Sequence, residues 1–283
     1  MLHPGADCFF RCHGTHLLLS GDPVERGAPP SAGVVLWRRL FAEFLGSALL
    51  AAIVIGSGIA AQQLSPGNTG LELLQNALVT GAGLFAIILI FGAVSGAHFN
   101  PVVSLVDAAF GGISWRDAAA YAPVQVVGCV AGAMAANVMF ALPTVSISTH
   151  HRATGPHLFS EIITTTGLLL VIFALARSGK SAYTPAAVGA YITAAYFFTS
   201  STSFANPAIT VGRMFSNTFA GIAPSSVAPF IGAQVVGALV AIGLVRVLHP
   251  GFTPAEAADI MVPHDFHTDL GDPYPTSLPS TDR

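Results

Sequence analysis

Six long apolar stretches constrain this chain more than any other feature of its sequence. They occupy residues 36–62, 71–95, 116–141, 158–177, 184–200 and 225–248. An α-helix of about 20 apolar residues crosses a hydrocarbon core of about 30 Å, and these stretches approach or exceed that length. Charged residues make up 9% of the chain, whereas soluble domains contain about 25%. The sequence therefore predicts an all-α membrane protein whose six transmembrane helices form one domain over residues 35–249.

Polar segments that contain proline flank this domain. We expect residues 1–34 and 250–283 to be tails, the first of them disordered, because both have little apolar surface to bury. The apolar run at 17–19 is too short for the hydrophobic core of a cleavable signal peptide. Cys8 and Cys12 lie near two histidines, but no second group of ligands follows at the spacing of a zinc site. We therefore predict no metal site and no other cofactor.

The chain repeats its own pattern. Segment 42–55 is similar to 160–173, segment 98–110 to 204–216, and segment 124–136 to 233–245. The matched polar landmarks are Glu43 with Glu161, Asn100 with Asn206, and Gln125 with Gln234. Each half, about 35–141 and 157–249, holds three apolar spans. An odd number of spans inverts the second half in the membrane, and inverted repeats of this kind place a site near the midplane.

Each half also contains an Asn-Pro pair at the start of a short apolar stretch. The two pairs belong to the triplets Asn100-Pro101-Val102 and Asn206-Pro207-Ala208. Asparagine caps a helix N-terminus well, and proline suits the first helical position. One such pair alone would favour a turn, but two equivalent copies favour two half-helices that are buried or line a cavity. Their dipoles would place positive potential at the midplane, which favours neutral solutes and opposes cations.

The segments "SGAHFNPVVSL" (95–105) and "SFANPAITV" (203–211) resemble the motifs of the major intrinsic protein family, the aquaporins and aquaglyceroporins. The resemblance covers about 36–248 and implies six spans, two re-entrant half-helices, a pore in each subunit and a homotetramer. It also implies passive conduction of small neutral solutes, with no enzymatic activity and no nucleic-acid partner. Val102 departs from the family pattern, which usually has alanine there.

Several buried polar residues acquire roles from the resemblance. It implies that Glu43 and Glu161 accept hydrogen bonds from the re-entrant loops, that Gln125 and Gln234 support them, and that His98 lines the cytoplasmic side of the pore. From the residues alone, two glutamates inside apolar spans also suit an ion-coupled carrier. A single histidine is equally compatible with a core position.

The pore of the family has a narrow ring at its outer side, and the resemblance predicts which residues form that ring here. Most members have arginine after the second Asn-Pro-Ala, whereas this chain has Ile209. The other ring positions fall on Thr80, Ser203 and either Tyr196 or Ala194, of which we prefer Tyr196. A ring without the arginine is expected to be wider and less polar than a water-selective one.

Arg213 follows Ile209 by four residues and so lies on a similar helix face, one turn further along. Two alternatives are open: it supplies a displaced charge at the outer mouth, or it points away from the pore and pairs with loop carbonyls or a carboxylate. The stretch 200–222 also resembles a bacterial subgroup of the family encoded beside arsenic-resistance genes. We therefore expect arsenite, glycerol-like polyols and water as solutes, with a water-selective aquaporin as the alternative.

The basic residues predict the orientation. With the N-terminus inside, the cytoplasmic ends of the spans carry Arg38, Arg39, Arg116, Arg177, Lys180 and Arg246. Arg152 is the basic residue of the outer loops. Because cytoplasmic loops are enriched in Lys and Arg, we expect both termini to be cytoplasmic and the protein to be a multi-pass protein of the inner (plasma) membrane.

Overall fold

The computed structural model of the chain describes residues 34–251 and 253–258, so residues 1–33, with Cys8 and Cys12, lie outside the described part. The helices are α1 (Leu36–Leu64), α2 (Thr69–Ser95), α3 (Pro101–Phe110), α4 (Trp115–Met139), α5 (Gly155–Arg177), α6 (Thr184–Phe198), α7 (Pro207–Gly212), α8 (Pro224–Leu248) and α9 (Pro254–Ala258). Two 3₁₀ turns, Ser181–Tyr183 and Arg213–Phe215, precede α6 and follow α7. The described residues contain no β-strand, as the all-α prediction requires.

Five of these helices, α1, α2, α4, α5 and α8, are long and apolar enough to cross a membrane. The sixth predicted span is α6, which has 15 residues. At about 1.5 Å per residue, and with the preceding 3₁₀ turn at about 2 Å per residue, this segment reaches about 28 Å, close to the hydrocarbon thickness. All six helices begin and end within a few residues of the predicted spans.

The outer surface of the helices is apolar and the interior carries the polar groups. Large side chains such as Leu49, Leu89 and Leu239 are exposed, whereas Glu43 and Glu161 are fully buried. This distribution is the reverse of a soluble protein, because lipid solvates apolar side chains and leaves polar groups to find partners inside the protein.

The two halves pack their helices in the same way. Helix α1 lies against α4, and its counterpart α5 lies against α8. Small residues allow these close approaches: a Cβ on Gly237 of α8 would lie 2.7 Å from the carbonyl oxygen of Ile162 on α5. A Cβ on Gly132 of α4 would come even closer to the carbonyl oxygen of Ala48 on α1. The backbones therefore touch in both halves, as is common between membrane helices.

The first described residues of the predicted C-terminal tail are packed rather than loose. Thr253 and Glu256 cap α9 reciprocally, with the Thr253 amide donating to the Glu256 carboxylate at 2.8 Å. Arg177 at the end of α5 pairs with Glu256 at 2.9 Å, and Ala257 is fully buried. The helical domain therefore extends beyond residue 249 by a short segment, α9, that contacts α3 and α5.

The contact of α1 with α4 predicts that Gly132→Ala destabilises the protein, because the added methyl group occupies space taken by the α1 backbone. Overpacking of this kind costs about 1–3 kcal/mol. Gly243→Ala is the matched control, since a Cβ there meets no other atom within 4 Å. Thermal unfolding in detergent should show a lower midpoint for Gly132→Ala than for Gly243→Ala, and equal midpoints would contradict the packing described.

Candidate functional site

The two half-helices α3 and α7 begin at their asparagines, as predicted. The Asn100 side-chain oxygen accepts from the Val102 amide at 3.1 Å, and Pro101 occupies the first turn. The Asn206 oxygen accepts from the amides of Ala208 at 2.9 Å and Ile209 at 3.2 Å. Each asparagine thus satisfies donors that the helix itself leaves free.

The same asparagines join the half-helices to each other. Asn100 Nδ2 donates to the carbonyl oxygen of Ala205, and Asn206 Nδ2 donates to the carbonyl oxygen of Phe99, both at 2.8 Å. This exchange holds the two N-termini together although the residues are more than a hundred positions apart. Each amide nitrogen carries two hydrogens, so one hydrogen of each remains available to a molecule in the adjacent cavity.

The loops in front of the half-helices have an unusual backbone. Ala97 and Phe99 have φ of 48° and 49°, and the equivalent Ser203 and Ala205 have φ of 53° and 48°. Residues other than glycine pay about 1–3 kcal/mol to adopt this left-handed conformation, so surrounding contacts must hold it.

Two buried carboxylates supply those contacts. Glu43 accepts from the amides of His98 at 3.0 Å and Phe99 at 2.7 Å. Glu161 accepts from the amides of Phe204 and Ala205, both at 2.9 Å. Each carboxylate therefore holds a strained loop in the position that its half-helix requires.

The two glutamines donate further hydrogen bonds to these carboxylates. Gln125 Nε2 donates to Glu43 and to the Ser104 hydroxyl, and Gln234 Nε2 donates to Glu161 and to the Thr210 hydroxyl. Ser104 and Thr210, which the sequence analysis did not single out, occupy equivalent positions on α3 and α7. Their signal in the sequence is a hydroxyl four residues after each asparagine.

A cavity that is partly open to solvent runs past both half-helix N-termini. Among the residues singled out from the sequence, its lining includes Thr80, His98, Asn100, Tyr196, Ser203, Asn206, Ile209 and Arg213. Pro101, Val102, Pro207 and Ala208 lie in the half-helices but are not part of this lining, nor are the two glutamates and the two glutamines. Ala194, the alternative ring residue, is exposed on the helix surface.

Apolar side chains make up most of the remaining lining. They include Leu50, Val54, Leu84, Leu168 and Ile172, which come from α1, α2 and α5. In ligand pockets of soluble proteins, apolar side chains of this kind determine the shape of the pocket, and a few polar groups fix the orientation of the ligand. Here the polar groups in the lining include the two asparagines, His98 and Arg213.

The four predicted ring residues line one cavity, and the hydroxyls of three of them are engaged with neighbouring side chains. Thr80 Oγ1 and Tyr196 OH lie 3.2 Å apart, and Ser203 Oγ lies 2.6 Å from Thr164 Oγ1. Ile209 adds an apolar group. The arrangement therefore presents few free donors, and none of the four is cationic.

Arg213 has features of both alternatives left open by the sequence. Its guanidinium lines the cavity with only 2% of the residue exposed, and its Nε donates to the carbonyl oxygen of Ala220 in a loop. It also stacks 3.4 Å from the centre of the Phe204 ring. Arg152, from the connection between α4 and α5, donates to the Gly221 carbonyl at 2.7 Å and lies 5.5 Å from the same ring.

His98 also lines the cavity, and it has a partner that was not predicted from the sequence. Its Nδ1 is 2.9 Å from the Ser104 hydroxyl, and its Nε2 is 3.4 Å from the Asp107 carboxylate. Asp107 is 1% exposed and sits within α3. A carboxylate inside a short apolar segment was the available signal, but its partner became visible only in the folded chain.

Comparisons with known proteins show which family this chain is similar to. The model of the family described as "Major intrinsic protein" matches residues 31–204. Aquaglyceroporin AqpS of Rhizobium meliloti (strain 1021) is 46% identical over 211 residues, which cover 75% of this chain and 90% of that protein. Aquaporin NIP6-1 of Arabidopsis thaliana is 30% identical over 227 residues, or 75% of this chain and 70% of that protein.

A solved structure shows the same fold. The X-ray structure of the aquaglyceroporin from Plasmodium falciparum matches with a TM-score of 0.58 at 22% identity, covering 76% of this chain and 98% of that chain. At this identity the likeness concerns the arrangement of the helices alone.

The contacts of Glu161 predict different outcomes for two substitutions. Glu161→Leu leaves two backbone amides and the Gln234 side chain without their acceptor, at about 1–3 kcal/mol for each buried donor, and should lower the folded yield. Glu161→Gln keeps one acceptor oxygen and should retain folding and much of the solute flux. Yield is measured by size-exclusion chromatography and flux in proteoliposomes.

One result would favour the carrier alternative instead. If Glu161→Gln folds in normal yield but abolishes solute flux, the ionisable carboxylate itself is required. A bracing role requires only acceptors.

Proposed function

The chain belongs to the major intrinsic protein family, whose members are membrane channels for small solutes and not enzymes, and we propose that its pore passes neutral solutes larger than water. The proposed solutes are glycerol-like polyols and arsenite, with water as a further permeant. The observation that carries the proposal is Ile209, an apolar side chain that lines the cavity where most members of the family have an arginine.

The ring predicted from the resemblance supports a larger and less polar solute. The hydroxyls of Thr80 and Tyr196 pair with each other, and the hydroxyl of Ser203 pairs with that of Thr164. Fewer hydroxyl groups are therefore left to replace the hydrogen bonds that water molecules lose when they enter the ring in single file. The carbon atoms of a polyol can contact the apolar wall while its hydroxyl groups accept hydrogen bonds from the few free donors. Sites built from apolar surface and a few polar groups bind such amphipathic molecules well.

Arsenite has a similar chemistry. Near neutral pH it is mainly As(OH)₃, an uncharged molecule with three hydroxyl groups and the bulk of a small polyol. A pore that accepts glycerol by shape and hydroxyl contacts is therefore suited to arsenite. The name aquaglyceroporin, given to the relative that is 46% identical, supports the polyol class.

The half-helices favour neutral solutes over cations. Their N-termini meet where Asn100 and Asn206 exchange hydrogen bonds, so the positive ends of both dipoles point at the same part of the cavity. The remaining amide hydrogens donate to a passing hydroxyl. Cations lose hydration there and gain no acceptor side chain from the asparagines.

The carrier alternative has less support. Glu43 and Glu161 do not line the cavity, and their oxygens already accept hydrogen bonds from loop amides and glutamines. A proton added to either carboxylate would face those donors and displace at least one of them. A water-selective pore also has less support, because it would be expected to keep the ring arginine.

The remaining parts of the proposal concern assembly and orientation. We place the protein in the inner (plasma) membrane as a homotetramer with a pore in each subunit, with both termini in the cytoplasm. The residues before 35 and after 249 are proposed as cytoplasmic tails; residues 1–33 lie outside the described part of the chain, and α9 shows that the second tail begins with a packed segment. The asymmetric distribution of Lys and Arg supports the orientation.

The selectivity proposal is tested by Ile209→Arg. The long cationic side chain should narrow the ring and present donors that suit water, so glycerol and arsenite flux should fall about tenfold or more, a barrier increase of about 1.4 kcal/mol, while water flux survives. Ile209→Leu is the control for any change at this position. Stopped-flow light scattering on proteoliposomes measures water and glycerol, and arsenic uptake is measured directly. Unchanged permeabilities in folded Ile209→Arg would show that residue 209 lies outside the constriction.

The orientation is tested by cysteine labelling in intact cells, in a background without the native cysteines. Thr149→Cys lies in an exposed loop between α4 and α5 and should react with an impermeant maleimide from outside. Ser178→Cys, exposed after α5, should react only after permeabilisation. Labelling of Ser178→Cys from outside would overturn the proposed topology.

A further inference from the structure

Arg213 starts the 3₁₀ turn that continues α7, one turn beyond Ile209. Both side chains line the same cavity, and so does the Phe204 ring against which the guanidinium stacks. The cavity therefore does contain a fixed cation from this segment, contributed by the residue four positions beyond the ring residue Ile209.

The contacts of this guanidinium leave part of it free. Its Nε donates to the Ala220 carbonyl, but among the described residues no acceptor lies within hydrogen-bond distance of Nη1 or Nη2, and no carboxylate forms an ion pair with it. Neither terminal nitrogen is among the enclosed polar atoms that lack a partner. Both therefore have access to the cavity, where their four hydrogens can meet a solute.

Arg152 differs in this respect. Its Nε donates to the Gly221 carbonyl and its Nη2 to the Phe219 carbonyl at 3.0 Å, so it fastens the loop before α8. The same loop supplies the Ala220 carbonyl that positions Arg213. Phe204 also contacts both guanidinium groups, and the guanidinium of Arg213 lies over the face of its ring, which restricts the Arg213 side chain.

We propose that Arg213 is the charge-selecting residue of this channel: it rejects cations and donates hydrogen bonds to neutral hydroxyl-bearing solutes, while Ile209, four residues earlier, leaves room for them to pass. The inference rests on the proposed function, since it assumes that neutral solutes pass through this cavity. A cation that enters would meet a guanidinium that forms no ion pair with a carboxylate among the described residues, and the repulsion between like charges is strong inside a protein. A neutral polyol would meet two free donor groups.

Separating the two tasks has a physical advantage for a larger solute. An arginine at residue 209 would place its charge and its bulk in the same ring, so the ring would exclude cations and polyols together. An isoleucine at 209 leaves that level open and apolar. Arg213 places the barrier to cations on a different residue, whose guanidinium is held over the Phe204 ring.

The test compares two probes that differ in charge but hardly in shape: urea, which is neutral and planar, and guanidinium, which is its cationic counterpart. Permeability to both is measured in proteoliposomes that hold the full chain. Arg213→Met removes the charge and keeps an unbranched apolar stem, and it should lower the ratio of urea to guanidinium permeability at least tenfold. Arg213→Lys restores the charge and should restore most of the ratio, although a lysine cannot stack as arginine does.

A purely structural role for Arg213 predicts another result. If its only task is to hold the Ala220 loop, Arg213→Met lowers folded yield, and the channels that do fold keep the wild-type ratio. That unchanged ratio would overturn the inference.

A second variant keeps the inference testable if Arg213→Met does not fold. Ile209→Ala widens the ring while Arg213 stays, so urea permeability should rise with no increase in guanidinium permeability. Guanidinium leakage through Ile209→Ala would show that the narrow ring, not Arg213, had excluded cations. Failure of the proposed function itself would look different: wild-type proteoliposomes would pass neither glycerol nor arsenite nor urea faster than protein-free vesicles.

Discussion

The hydrogen bonds that Glu43 and Glu161 accept from the loops before the half-helices are the interaction on which the rest of this structure depends. A backbone that ends a helix inside a membrane leaves amides with no water to satisfy them. Each carboxylate accepts two of these amides and so allows the chain to turn back in left-handed conformations that residues other than glycine rarely adopt. Only with both loops held can Asn100 and Asn206 reach each other's loop carbonyls and align the two N-termini.

That alignment explains how polar groups can line an interior cavity in a chain whose outer surface is apolar. The asparagines line a cavity whose walls are mostly leucine, valine and isoleucine, with a few further polar side chains such as those of His98 and Arg213. The glutamates and glutamines lie behind it, so the charges needed for folding are kept away from the solute. On the same segment, Ile209 contributes an apolar side chain and Arg213, four residues later, contributes a cationic one. Selection by solute size and selection by solute charge can therefore depend on different residues.

The sequence predicted the fold from features that are local. The lengths of the apolar stretches fixed the helices to within a few residues, because spanning a hydrocarbon core needs a minimum length. The caps at Asn100 and Asn206 followed from asparagine before proline, since capping involves only neighbouring residues. The supporting role of Gln125 beside Glu43 was expected from the family resemblance, although the distance between them was not. The packing of α9 was not expected, because the segment 253–258 is short and has no large apolar side chain, and its partners, Arg177 and the end of α3, lie far away in the chain.

The sequence by itself determined that this chain spans a membrane, that its halves are related by inversion, and that two asparagine-capped half-helices meet between them. These properties depend on composition, period and the residues next to each asparagine. The tertiary structure alone decided which hydroxyls are free and which are engaged: Ser203 with Thr164, Thr80 with Tyr196, and His98 with Ser104. It also decided that the Arg213 guanidinium lies 3.4 Å from the centre of the Phe204 ring and that Arg213 lines the cavity. The physical reason is that hydrogen bonds and stacking act over a few ångströms, between side chains that only the packing of distant helices and loops brings together.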